Sequence, residues 1–553
     1  MVHAGYCANF LMKTNQILWL FSLVLLLGSL CACGGGGSSA ANIANNSGNF
    51  TNSNVNVTNT PPHASVWAEQ AYLKAANTVA GLGYGNSIAH DGDTLVVGAQ
   101  GESSNQTTIT NGTTASSDIS LSRAGAAYVY LRTGGIWVQQ AYLKAANAHS
   151  INYFGTAVAI SGETIAVSAY AEGSNQTTIT NGTTASNDTS ALGSGAVYVF
   201  KRTGSNWSQE AYVKPSNTGG GDRFGSGLSL DGDTLVVGAV FEASNQSTIT
   251  NGAFASADNS LPRAGAAYVF ERSGTTWTQQ AYIKPPNPNS ENRFGNSVSI
   301  SGDSIVVTSV WESSNQTIIT NGTTASADNS ASHAGAAYVF TRTGTSWAQQ
   351  AYLKASNAES NDAFGVSAAI NNDTIVVGAN GESSNQTSVT NGATASANNS
   401  SPNAGAAYVF VRQGGTWSQQ AYLKAANSAS NNWFGYRVAI NGDVIAVGSQ
   451  QENSNQATIS NDSTASADTS ATHAGAVYVF KRTGTDWAQQ AYIKPTNAGA
   501  NQLFGSGVSI KQNTLAVGAY GESSAQNFIT NGAAASTDTS ASSAGASYIF
   551  TYQ

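Results

Sequence analysis

FGSGLSLDGDTLVVGA, residues 224–239, decides the fold. Two short runs of alternating and β-branched residues, 224–230 and 234–239, flank Asp231-Gly232-Asp233, a tight-turn signal for a hairpin. A second pair follows, AGAAYVF at 264–270 and WTQQAYIK at 277–284, joined by Arg272-Ser273-Gly274-Thr275. The Phe-Gly that opens this unit recurs at Phe154, Phe224, Phe294, Phe364, Phe434 and Phe504, each 70 residues apart, with Tyr84-Gly85 as the first copy. A long fixed period signals stacked supersecondary units and replaces any domain count drawn from length. Four antiparallel strands in each of seven units describe an all-β chain folded as a seven-bladed β-propeller of four-stranded antiparallel blades.

The phase of the repeat tests this reading. The Trp-containing strand occurs at Trp67, Trp137, Trp207, Trp277, Trp347, Trp417 and Trp487, so its first copy precedes the first Tyr-Gly. The last unit, 504–550, lacks its outer strand, and 66–74 is left over at the other end. Pairing the two closes a ring and removes an open sheet edge, whereas an open solenoid would want capping units.

Composition narrows the function. Charged residues are 9% of the 553, against roughly 25% in ordinary soluble domains. The formal charge is −8, and 11 Lys with 11 Arg are spread thinly, which offers no basic patch for nucleic acid. All three cysteines (Cys7, Cys31, Cys33) precede residue 34, so the repeats hold no disulfide, zinc cluster or thiol catalyst. Lys13 is followed by a 14-residue apolar run, 17–30, the length of a signal-peptide core. Met12 is an alternative start. The stretch Leu30-Cys31-Ala32-Cys33 resembles the lipobox of bacterial lipoproteins. That resemblance implies a signal peptide over 1–32, lipidation of Cys33, and a place in the bacterial cell envelope; a plain secretory peptide is the alternative. Residues 33–65, rich in Gly, Ser, Asn and Thr, form a flexible tether, and 66–553 the propeller.

The spacing from Phe224-Gly225 to Gly238-Ala239 resembles the FG-GAP repeat of integrin α-chain propellers, and the longer unit is more similar to the FG-GAP repeats of bacterial surface proteins. The resemblance covers 66–553 and implies the propeller fold. Two departures matter. The Pro of the GAP triplet is replaced by Gln100, Tyr170, Val240, Val310, Asn380, Gln450 and Tyr520. The first turn, as in Asp91-Gly92-Asp93, is too short for the integrin-type calcium loop.

Tight turns join strands one to two and three to four, so the long second connection, about two dozen residues as in 100–123, crowds the opposite face. Each long loop opens with an acid (Glu102, Glu172, Glu242, Glu312, Glu382, Glu452, Glu522) and carries a later one (Asp118, Asp188, Asp258, Asp328, Asp468, Asp538), with Asn398 in the fifth. Two readings stand: an oxygen cage for Ca²⁺, or carboxylates that accept loop N–H groups and fix loop shape. The mid-loop aliphatic, such as Ile109, is expected to tuck the loop onto its blade. The turn acids, such as Asp93 and Glu163, are read as turn chemistry. Lys74 and Arg132, with their equivalents, are expected to lay their stems over neighbouring strands and keep their heads in water.

Residues that break the repeat are better ligand candidates, because the ring needs only what repeats. These are Arg223, Phe241, Arg293, Trp311, Trp433 and Arg437. Six scattered histidines, four of them in 66–553, and no Gly-x-Ser-x-Gly elbow or phosphate loop argue against an enzyme. The resulting expectation is a monomeric, lipid-anchored, non-catalytic propeller that binds a protein or glycan through its long-loop face. An envelope scaffold without a discrete ligand and a carbohydrate-active propeller are the alternatives.

Overall fold

A computed structural model describes residues 65–553; the expected signal peptide, Cys33 and all but the last residue of the expected tether lie outside the described residues. The described chain forms seven antiparallel sheets arranged as a ring. In the third, the order from the axis outward is Phe224–Asp231, Thr234–Ala239, Ala266–Ser273 and Thr276–Ile283. The Phe-Gly strands of all seven blades line the central channel.

One element was not expected. The long loop returns to its own blade, where two residues, as in Thr250–Asn251, pair outside the Trp strand, so six of the seven sheets have five strands. A Gly follows this short strand and its N–H donates to an outer-strand carbonyl, Gly252 to Gln280 at 2.6 Å. It does so at a φ of +117°, which a side chain disfavours. In the sixth blade Asp462 takes that place, and only an isolated bridge, Ser460 to Tyr492, remains.

The ring closes as the phase requires. Trp67–Leu73 pairs antiparallel with Ala546–Tyr552, from Trp67 opposite Tyr552 to Leu73 opposite Ser547. Two further circuits cross this closure unbroken. Each Trp indole N–H meets a Gln or Glu of the preceding blade, as Trp207 to Gln140 at 2.8 Å and Trp67 to Gln490 at 3.4 Å. The Asn at the short-strand position of every blade clasps the backbone of the next blade's Trp, its Oδ1 accepting the N–H and its Nδ2 donating to the carbonyl. Asn111 does this to Trp207 at 2.7 and 3.1 Å, and Asn461 to Trp67 at 2.6 and 3.1 Å.

The core lies between blades rather than within them. One cluster combines Val376, Val409 and Leu423 of the fifth blade with Phe434, Ile445 and Trp487 of the sixth unit. Each Phe of Phe-Gly is fully buried and stands edge-on to two rings of its own blade, as Phe434 to Tyr478 and Phe480 at 5.3 and 6.0 Å. In the first blade both partners change together. Tyr84 replaces the Phe, Tyr130 replaces the second ring, and the two hydroxyls bond each other at 2.8 Å.

The glycines of the motif set the spacing between blades. A Cβ on Gly378 would lie 1.9 Å from the carbonyl oxygen of Gly435 in the next blade. Where Ser168 and Thr308 stand at that position, their hydroxyls accept inner-strand N–H groups, of Ala157 and Ser297, at 3.0 Å. Because backbone rather than a flexible side chain would have to move, Gly378→Ala should cost about 3 kcal/mol, at the upper end of overpacking effects. Urea unfolding should show it as a lower midpoint at an unchanged m-value.

Candidate binding face

The long loops are anchored by a polar node that repeats in every blade. Lys424, at the end of the outer strand, is fully enclosed, and its Nζ donates to Glu382 Oε2 at 2.8 Å, to the Ser384 carbonyl at 2.8 Å and to the Gly405 carbonyl at 2.7 Å. Glu382 Oε1 accepts from the Tyr422 hydroxyl at 2.8 Å, the Ser384 N–H at 3.1 Å and Asn357 Nδ2 at 3.3 Å. Asn357 belongs to the connection entering this blade, so the node ties loop, outer strand and blade junction together. The same Lys–Glu contact, 2.7–3.0 Å, joins Lys74 to Glu522, Lys144 to Glu102, Lys214 to Glu172, Lys284 to Glu242, Lys354 to Glu312 and Lys494 to Glu452.

This corrects one expectation, for the lysines, and bears on the two readings of the loop acids. The lysines are buried rather than solvated; burial pulls each ammonium below the usual lysine range while the facing Glu holds it up. The Glu oxygens already receive an ammonium and neutral donors, the arrangement that the loop-shaping reading describes. The later acids hold loop shape. Asp118 Oδ2 accepts the Asn105 N–H and the Ser120 hydroxyl, both at 2.8 Å. Asp188, Asp258, Asp328 and Asp468 make the same pair, and Asp538 spans to the Ala525 N–H. These bonds hold the six carboxyls below the usual aspartate range. Asn398 keeps the Ser400 contact at 2.7 Å. Among the described residues, no group of three or more His, Cys, Asp or Glu is placed to hold a metal ion.

The turn acids also do more than shape turns. Asp93 pairs with Arg132 at 2.7 Å, and Arg132 lies over Trp137 at 5.4 Å and reaches Thr514 of the preceding blade at 3.2 Å. Arg202, Arg272, Arg342, Arg412 and Arg482 repeat the pairing with Glu163, Asp233, Asp303, Asp373 and Asp443. The mid-loop aliphatics, Ile109 among them, are partly buried against the inter-blade clusters.

Six of the eleven arginines are thereby used by the repeat, and four of the other five converge. The residue before each Phe-Gly has a positive φ, 54–57° at Tyr153, Arg223, Arg293, Ala363, Trp433 and Leu503. Its N–H donates to a second left-handed residue at the end of the preceding long loop, Arg223 to Gly193 at 2.9 Å and Arg293 to Arg263 at 3.1 Å. Left-handed backbone costs an L-residue about 1–2 kcal/mol, which the hydrogen-bonded loop ends sustain here. The backbone at these positions is constant, and only the side chains vary.

On one side of the ring those side chains form a continuous ladder. Arg123 donates to the Tyr153 hydroxyl at 3.2 Å, and Tyr153 stacks on Tyr170 at 5.4 Å. Arg223 lies 5.4 Å from the Tyr170 ring centre and 4.3 Å from that of Phe241. Arg263 and Arg293 approach the same Phe241 ring at 4.8 and 5.3 Å. Arg293 also covers Trp311, which stacks on His333 at 4.5 Å. Beside the ladder lies a cleft of about 830 Å³ between Tyr170, Arg223, Phe241 and Arg263, floored by Gly219, Gly220 and Gly221.

The structure thus brings together Arg223, Phe241, Arg293 and Trp311 but places Trp433 and Arg437 elsewhere. Trp433 stacks on Tyr436 at 6.1 Å, and Arg437 covers Tyr436 at 4.6 Å at the wall of the central channel. Sequence reasoning missed Arg123, Tyr153, Tyr170 and Arg263, and with them the local basic strip that thinly spread arginines did not suggest.

Removing one partner of the Lys–Glu node leaves a buried charge unpaired, so Glu172→Gln or Lys214→Met should each cost about 3–5 kcal/mol in chemical unfolding. Melts in excess EDTA and in millimolar Ca²⁺ should coincide, because the repeated carboxylates are already satisfied.

Burial pushes two carboxyls beside this face, Asp222 and Asp362, up to about 7, with Glu242 and Glu382 adding repulsion and backbone N–H groups of Gly219 and Glu359 opposing the shift. A folded value above the unfolded one means stability present at low pH and lost as pH rises from about 4 to 7. The melting temperature of the Asp222→Asn, Asp362→Asn double variant should therefore gain on that of the wild type between pH 5 and pH 8.

The model of the FG-GAP repeat family matches seven times, at residues 67–130, 137–200, 207–270, 277–340, 347–410, 417–480 and 487–550. No curated protein matches the chain. Each match begins at a Trp that enters the indole–amide circuit and runs through the Phe-Gly and Gly-Ala positions that set blade spacing, so motif and architecture coincide: the chain belongs to the FG-GAP repeat family.

Proposed function

We propose that this propeller is a non-catalytic binding protein that recognises a protein or glycan through its long-loop face, held at a bacterial envelope by a lipid on Cys33. The observation that carries the reading is the convergence of Arg223, Phe241, Arg293 and Trp311, residues the ring does not need, along one strip of a rigid scaffold, with Arg223 and Phe241 in the wall of a cleft. Arg and aromatic side chains favour binding hot spots. Loops on a rigid frame are also where recognition concentrates. The anchor rests on the lipobox-like stretch at residues 30–33 and the polar tether behind it.

Two measurements test the two halves. A panel of glycans and extracellular proteins, screened against the mature chain, should yield a ligand whose affinity falls at least tenfold in a variant carrying Arg223→Asn, Phe241→Ala, Arg293→Asn and Trp311→Ala, about 1.4 kcal/mol. Asn is chosen at the arginine sites because it tolerates positive φ. A panel without any ligand would favour the scaffold reading instead. In bacterial cells, labelled palmitate should enter the wild type and not Cys33→Ser, and the variant should leave the membrane fraction.

A further inference from the structure

We propose that the cleft between Tyr170, Arg223, Phe241 and Arg263 binds a carboxylated glycan, a chain of uronic-acid-type sugars; this rests on the binding reading above and names its ligand class. Charge gives the first argument. Four guanidiniums gather along one strip, and Glu291, 3.3 Å from Arg263 with both side chains about half exposed, is the one carboxylate within ion-pair distance among the described residues. Three of the four approach a single Phe241 ring, so like charges are held together. The Nε of Arg293 is buried and has no acceptor. Such a group of donors, planar and forked, outnumbers the two carboxyls beside it, Glu291 and the Asp222 that lines the cleft, and matches further carboxylates brought by a ligand.

The walls supply the second argument. The cleft offers aromatic edges, the Tyr153 and Tyr170 rings, the Asn259 amide and the backbone of three consecutive glycines. Its only aliphatic side chains are Ala171, Ala243 and Pro262, so it has no pocket for the apolar anchor that protein partners usually insert. Nucleic-acid bases want open aromatic faces, but guanidiniums already approach the Phe241 and Trp311 rings. Sugar rings, which carry hydroxyls around their rims and carboxylates at intervals, suit both the polar walls and the arginines.

The glycines give the third. Gly219, Gly220 and Gly221 stand where the second blade's entry has His149, Ser150 and Ile151 and the fourth has Asn289, Ser290 and Glu291. Their lack of side chains leaves room for the cleft between the arginines.

Calorimetry on the mature chain tests the proposal with a galacturonic acid hexamer, its fully methyl-esterified counterpart, hexaglutamate and a thymidine hexanucleotide. The acid hexamer should bind at least tenfold tighter than each of the other three. Arg223→Asn and Arg263→Asn should each weaken it at least tenfold, while Leu503→Asn, the backbone position of Arg223 four blades on, should leave it unchanged. Unaltered melting temperatures would show that the variants fold. Equal binding of the ester would overturn the charge argument, and equal binding of hexaglutamate or the oligonucleotide would overturn the sugar. A neutral glycan or a protein held by this face, with the acid hexamer ignored, would overturn the ligand class while leaving the binding face intact. If no ligand is sensitive to the face, both readings fall.

Discussion

Everything on the long-loop face depends on a buried ion pair between the end of each outer strand and the start of each long loop. A lysine ammonium deep in protein is costly unless each of its protons finds an acceptor. Lys424 meets that condition with one carboxylate and two carbonyls. The acceptors come from parts of the chain far apart in sequence, so satisfying the charge fixes where those parts cross. Seven such crossings convert seven long, Ser- and Asn-rich loops into a defined surface. Without them the loops would have little apolar area to hold them.

Inter-blade contacts act at right angles to this. Phe-Gly fills the gap between adjacent sheets with a ring and then brings the backbones to van der Waals distance, and the indole–amide and Asn–Trp circuits repeat the join at the outer rim. Each blade is therefore held at its inner edge by packing and at its outer edge by hydrogen bonds. That division leaves the loop ends between blades free to change side chains without changing backbone, as the left-handed pairs at Arg263 and Arg293 or Asn403 and Trp433 show.

Much of the architecture was legible in the sequence because a strict period makes phase readable, and the offset of Trp67 from Tyr84 already implied the closing strand. The short fifth strand was not, because two residues of Thr-Asn carry no periodic signal and their pairing depends on the following glycine's φ. The lysines were misplaced for a different reason. A Lys at the end of a strand ordinarily reaches water, and its Glu lies about forty residues away. The signal was the equal count, one Lys and one Glu in every repeat, noted for each separately. The arginine ladder was half legible. Arg223 and Arg293 share a phase, so the ring sets them side by side, but Arg263 and Tyr170 reach them from other phases, across the blade junction.

Closure by the first strand has a temporal side. Trp67–Leu73 is synthesised before every other element of the ring, yet its partner Ala546–Tyr552 comes last. At 5–20 residues per second a ribosome needs roughly tens of seconds to supply it. For that interval an apolar strand, WAEQAYL, has no partner on the edge where it will finally pair, and every chain that stops short keeps it so. A copy that stops before Ala546 thus leaves two open edges at once, one on the first strand and one on the last blade.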